Sequence, residues 1–163
     1  MRVAAEDIYL KPGEWFFGAG RHCVHTLLGS CVAIVLWHPQ RHLGAMTHCM
    51  LPRRPSPREQ SPAEGRFADE VVQLLAREAR KHGRQLSEFH ARIYGGMAVR
   101  NEAEKRTLSA IGEANIQATR ELLRLQHVPI MEQHVGGHLS YRISLDLNDG
   151  SVQLQQPVLP SSP

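Results

Sequence analysis

Lysine is nearly missing from this 163-residue chain, which has three (Lys11, Lys81 and Lys105) against sixteen arginines. The formal charge is only +3, the basic residues are scattered, and nine aromatic residues are spread along the whole length. Nucleic-acid surfaces concentrate positive charge in a stripe with aromatic platforms between, so the composition argues against that partner. Long hydrophobic runs are also lacking. The longest, Cys31 to Trp37, falls far short of the roughly 20 residues a membrane-spanning helix needs. Glu6 and Asp7 stand where a secretory signal would be apolar, so the expected protein is soluble and cytoplasmic, with no membrane insertion. There is no internal repeat and no low-complexity block. Three cysteines, Cys23, Cys31 and Cys49, make no even disulfide framework. In a reducing compartment, a cysteine with a histidine nearby is instead a candidate nucleophile.

What is present fits one compact domain of ordinary globular composition, 42% hydrophobic and 21% charged. The expected domain covers residues 1–156, followed by a loose tail at 157–163. Cys23 to Leu28 reads as extended, ending at Gly29-Ser30. Cys31 to His38 is β-branched and apolar, a buried strand, and Leu43 to Leu51 is its hairpin partner across Pro39 to His42. Pro52 to Gly65, with four prolines and three arginines, is an exposed loop. Phe67, Val71, Leu74, Leu75 and Ala79 repeat at helical spacing, with Gly83 placed to end the helix. Ala91 to Met97 is a strand ending in Gly95-Gly96. Ile111, Ala114, Ala118, Leu122 and Leu125 mark a second amphipathic helix. The last third reads as strands 130–135, 139–147 and 151–155, the latter two joined at Asn148-Asp149-Gly150. The fold class is therefore α+β, a β-hairpin-rich sheet layer or sandwich with two main amphipathic helices packed on it.

Closing the hairpin over Pro39 to His42 sets His38 opposite Leu43, Cys31 opposite Met50 and Ala33 opposite His48. Cys31 and His48 then become diagonal neighbours on one face, about 7–8 Å apart at Cα, a gap that an imidazole spans to reach a thiol. The same parity turns Cys49 to the other face, as a small buried hydrophobe. Gly29-Ser30 lets the chain turn sharply ahead of Cys31 and leaves backbone N–H groups uncrowded, as an oxyanion site requires. A buried cysteine and a satisfied core histidine are the bland account of the same spacing.

Two segments weigh against the bland account. Thr26-Leu27-Leu28-Gly29-Ser30-Cys31-Val32-Ala33 and Gly44-Ala45-Met46-Thr47-His48-Cys49-Met50-Leu51-Pro52 closely resemble the CheD family of chemoreceptor glutamine deamidases. The resemblance continues through Pro12-Gly13-Glu14, Tyr94-Gly95-Gly96, Ile111-Gly112-Glu113-Ala114-Asn115, Val135-Gly136-Gly137 and Asp149-Gly150. It implies Cys31 as nucleophile, His48 as general base and acid, and Thr26 as the group that orients the imidazole. It further implies deamidation of glutamine side chains on methyl-accepting chemotaxis receptors through a thioester, with hydrolysis of glutamate methyl esters as a secondary activity. A CheC-type phosphatase is the implied partner. The pattern departs from the family at Thr47 and Cys49, where Asn and Phe are usual, and at Ser140-Tyr141-Arg142, where a basic pair is common; both bear on substrate preference.

The chemistry needs no metal or cofactor. A zinc site is the rival suggested by His22, His25, His38, His42 and His48 crowding with the three cysteines, but no Cys-x-x-Cys or paired-His spacing supports it. A second rival is a non-catalytic binding module that docks to the phosphatase or the receptor. Arg53, Arg54 and Arg58 are candidates for steering toward acidic receptor helices. Glu113 and Asn115 stay unassigned, since the first turn of a helix accounts for them as well as function does.

Overall fold

The computed structural model describes residues 6–56, 61–98 and 105–156, with the side chains of 105–109 excepted. The loose tail expected at 157–163 lies outside them. Among the described residues, nine strands form two sheets. The first has the order β1-β3-β8-β9, from Glu6–Tyr9, His22–Leu28, Tyr141–Asp146 and Val152–Gln155. The second has the order β2-β5-β4-β6-β7, from Trp15–Gly18, Leu43–Thr47, Val32–His38, His90–Gly95 and Ile130–Val135. Two helices, α1 (Ala68–Lys81) and α2 (Lys105–Leu125), cover the second sheet.

Strand alternation divides the core into two layers. Val32, Ile34 and Leu36 of β4 face the helices and pack with Val72, Leu75, Ile116 and Leu123. Ala33 and Val35 face the other way and meet Val24, Leu28, Ile143 and Leu145 of the first sheet. Because both faces of β4 are buried, its sequence is apolar throughout, as expected for a strand enclosed between layers. The α+β class and the sheet-with-two-helices arrangement are as the sequence indicates. The hairpins β4–β5 and β8–β9 are present, but the sheets are mixed: β1 runs parallel to β3, and β6 parallel to β7. Composition carries no mark of strand direction, which is why hairpins alone were expected.

Helix α1 ends as its sequence requires. Arg84 N–H reaches back to Ala79 O at 2.8 Å, and Gly83 N–H to Arg80 O at 2.9 Å, with Gly83 at φ +69°. Helix α2 corrects the sequence reading. It begins at Lys105 rather than near Ile111, and its buried face is Gly112, Asn115, Ile116, Thr119 and Leu123. The stripe 111, 114, 118, 122, 125 lies to one side, and Leu125 is exposed. Three of the buried positions carry Gly, Asn and Thr, so a search for apolar periodicity settles on the flank.

Candidate functional site

The β4–β5 hairpin has the register expected from its turn, with His38 opposite Leu43 and Val35 opposite Met46. The ladder then opens. Ile34 N–H donates to the Thr47 hydroxyl at 3.0 Å instead of to a backbone carbonyl. The His48 backbone turns to the loop before β2, with Gly13 N–H on His48 O at 2.9 Å and His48 N–H on Glu14 O at 3.1 Å. Pairing resumes one residue on, where Val32 and Cys49 exchange both backbone bonds at 3.0 and 2.9 Å. The strand expected to run to Leu51 therefore ends at Thr47. Register is kept across the interruption, so Cys31 and His48 remain diagonal neighbours.

Thr26, on β3 of the facing sheet, joins them. Its Oγ1 lies 2.6 Å from His48 Nδ1 and 3.0 Å from Leu10 O, and both Thr26 and His48 are buried. A hydroxyl has one proton, and a carbonyl only accepts. The hydroxyl therefore donates to Leu10 O and accepts from Nδ1–H, which fixes the tautomer and leaves Nε2 as the free base nitrogen. Burial holds the His48 imidazole down at about 4 and pushes the Cys31 thiol above its ordinary 9.0. At neutral pH the thiol and the imidazole are thus both uncharged. Cys31 is half-buried against the layer between the sheets. Cys49 faces the helix side with Ala68 and Val71, and burial, the largest of the effects on it, pushes its thiol up to about 12. It behaves as a core residue.

The chain around Cys31 is held through its carbonyls. Met97 N–H donates to Gly29 O and Gly96 N–H to Cys31 O, both at 2.9 Å. The carboxamide of Asn115 donates to Ser30 O at 3.4 Å and to Met50 O at 3.0 Å. Gly95 and Gly96, at φ +106° and +71°, shape the facing turn, and a Cβ on Gly95 would collide with the Cys31 carbonyl. Gly95→Ala is therefore expected to lower unfolding free energy by more than about 2 kcal/mol, measured by urea titration. Asn115 is not legible as a site residue in the chain, because a mid-helix asparagine on a buried face is invisible to apolar periodicity. Its fully buried side chain is the signal that finds it.

The clustered histidines disperse. His38 faces Glu88 at 3.4 Å, and His42 sits in the hairpin turn at φ +51°. Asp7, Cys23 and His25 bring donor atoms within 4.8 Å of one another on the outer face of the first sheet. There both His25 nitrogens are engaged, Nδ1 with Ser144 at 2.6 Å and Nε2 with Asp7 at 2.8 Å. Neither Cys31 nor His48 belongs to that group. A cleft beside it is lined by Tyr9, Leu10, His25, Thr26, Leu27 and Arg142, so it reaches the threonine that holds His48, while Cys31 is not among its lining residues. In the arginine loop, Arg54 is taken by Glu70 at 2.7 and 3.0 Å and by Pro62 O at 3.2 Å, so it braces the loop rather than facing a partner. Arg58 lies outside the described residues.

A half-buried thiol one diagonal strand position from a neutral imidazole, itself held by a hydroxyl, is a placement compatible with the chemistry of cysteine hydrolases. Comparison with known proteins narrows the class. The family described as "CheD chemotactic sensory transduction" matches residues 50–156. A protein of Chromobacterium violaceum named "Probable chemoreceptor glutamine deamidase CheD 1" is 36% identical over 153 residues, 94% of this chain and 79% of its own. A Pseudomonas fluorescens protein named "Probable chemoreceptor glutamine deamidase CheD" is 35% identical over 158 residues, 96% of this chain and 88% of its own. A Leptospira interrogans relative with the first of these names is 31% identical over 93% of both chains. The chain belongs to the CheD family. Among the described residues, no helix is long and apolar enough to cross a membrane.

Proposed function

We propose that this protein deamidates glutamine side chains on methyl-accepting chemotaxis receptors through a thioester on Cys31, with His48 as base and acid and Thr26 as its orienting partner. The names of the relatives support the substrate class. The observation that carries the chemistry is the 2.6 Å bond between Thr26 and His48 Nδ1, which frees Nε2 for the thiol proton. As sulfur attacks the carboxamide carbon, that proton passes to Nε2 and the carbonyl electron pair moves onto oxygen. Collapse of the tetrahedral adduct expels ammonia, which takes the proton back from His48. Water then adds to the thioester with the same imidazole as base and releases glutamate and the thiol. A glutamate methyl ester reaches the same acyl-enzyme by losing methanol and is the secondary substrate. Docking to a CheC-type phosphatase is a second role proposed for the same chain.

The test is incubation of the full chain with an amidated receptor cytoplasmic fragment, followed by peptide mass spectrometry for glutamine converted to glutamate. Conversion of specific glutamines supports the reading, and its absence favours the binding-module account. Retained phosphatase binding by Cys31→Ala would separate docking from catalysis, and loss of both together would count against two roles. Thr26→Val leaves the buried Nδ1–H without an acceptor, at a cost of about 1–3 kcal/mol. The expected result is a kcat roughly 5- to 150-fold lower, with KM for the fragment little changed; an unaltered kcat would remove Thr26 from the mechanism.

A further inference from the structure

The carbonyl of Ser30 and the N–H of Cys31 belong to one peptide unit. That unit is planar and trans, so its two polar groups point in opposite directions. Asn115 draws the Ser30 carbonyl toward α2, and Gly96 and Met97 likewise hold the carbonyls on either side of it. With Gly29 O, Ser30 O and Cys31 O all tied to the protein, the three acceptors that would repel a developing negative charge are turned away from it. The N–H of the nucleophile's own residue is left pointing the other way. The second Asn115 bond goes to Met50 O, two residues beyond His48, so one buried amide spans the segments that carry the thiol and the imidazole.

The amide cannot be reversed, since its oxygen would then face two carbonyl oxygens. Its Oδ1 is buried and, among the described residues, has no donor. A mid-helix asparagine with a lone buried oxygen is costly to a fold, and leucine would fill similar volume without that cost. Its use lies in the two donated bonds. Gly112, one turn earlier, lets α2 approach the Gly96 and Met97 carbonyls so closely that a Cβ there would crowd them. The helix is thereby pressed against the turn that it orients.

We infer that Asn115 is a positioning residue for the oxyanion site: by holding the Ser30–Cys31 peptide plane it aims the Cys31 N–H at the oxygen of the tetrahedral adduct. This rests on the reading of Cys31 as nucleophile. When sulfur bonds to the carboxamide carbon, the π electron pair moves to oxygen, and the Cys31 N–H receives it in a hydrogen bond until ammonia leaves.

Alkylation by iodoacetamide separates this role from others, because sulfur displaces iodide from a methylene carbon and no oxyanion forms. The experiment compares the full-length protein with Asn115→Ala and the nearly isosteric Asn115→Leu, which keeps the helix face filled. Deamidation of the receptor fragment is followed alongside alkylation of the Cys31 peptide. The expected result is a kcat lower by roughly 10- to 100-fold, with KM and the alkylation rate each within about threefold of wild type. Equal loss of alkylation and deamidation would overturn the inference and make Asn115 a support of the Cys31–His48 pair or of the fold. Unchanged deamidation in either variant would overturn it too. Full activity in Cys31→Ala would instead remove the reading on which it rests.

Discussion

Cys31→Ala is expected to abolish conversion of receptor glutamines, with a loss of at least about 10³-fold, while the melting temperature stays close to that of wild type. Half-buried Cys31 gives the layer between the sheets one sulfur atom in partial contact, whereas the mechanism gives it the bond that forms. The two other cysteines supply the controls. Cys49 is fully buried beside Ala68 and Val71, so Cys49→Ala should cost stability and leave kcat nearly intact. Cys23 lies on the outer sheet near Asp7 and His25, and Cys23→Ser should change neither by much. Equal activity in Cys31→Ala and wild type would refute the nucleophile assignment, and loss of activity in Cys49→Ala without loss of stability would point to the wrong sulfur. The same three variants, assayed for ammonia release with a glutamine peptide, show whether receptor context or only the carboxamide is needed.

The parts of this site that could be read from the chain were those fixed by local rules. A four-residue link between two β-branched segments sets hairpin register, and register carried Cys31 and His48 to one face and Cys49 to the other. Opening of the ladder at His48 was not legible, because it depends on Thr47 substituting its hydroxyl for a carbonyl and on Gly13 and Glu14 arriving from a distant loop. Thr26 came from family resemblance alone: nothing in residues 22–28 says that β3 belongs to the opposite sheet, facing His48 across the core. Asn115 escaped for the converse reason. From the chain alone a first helical turn accounts for its position as well as function does, whereas the actual start at Lys105 makes it a buried mid-helix residue. Parallel pairing of β1 with β3 and of β6 with β7 was hidden as well, since direction is settled by which distant strand lies alongside.

His48→Ala is expected to lower kcat by roughly 10³-fold or more, and its pH behaviour identifies the cause. Burial holds the imidazole at about 4 and the Cys31 thiol above 9.0, so both groups rest uncharged at neutral pH, and the proposed reaction starts from them rather than from a preformed thiolate–imidazolium ion pair. Wild-type activity should stay level from about pH 5 to 8 and fall as pH drops through about 4, where Nε2 takes up a proton and ceases to be a base. A midpoint near the ordinary 6.5 would mean that water reaches the ring. The ultraviolet thiolate band, taken as the difference between wild type and Cys31→Ala, should be absent at neutral pH and appear only above 9.0; a band at pH 7 would establish the ion pair and overturn the neutral assignment. Stability follows the same linkage. Because the folded-state value lies below the unfolded 6.5, the unfolded chain binds the proton first as pH falls, and stability is lost between about 6.5 and about 4. His48→Ala cannot take up that proton, so its urea midpoint should be the less sensitive of the two across this window. One ring would then govern the acid limb of activity and add its own step to that of folding, as a base kept neutral by burial and aimed by a threonine must.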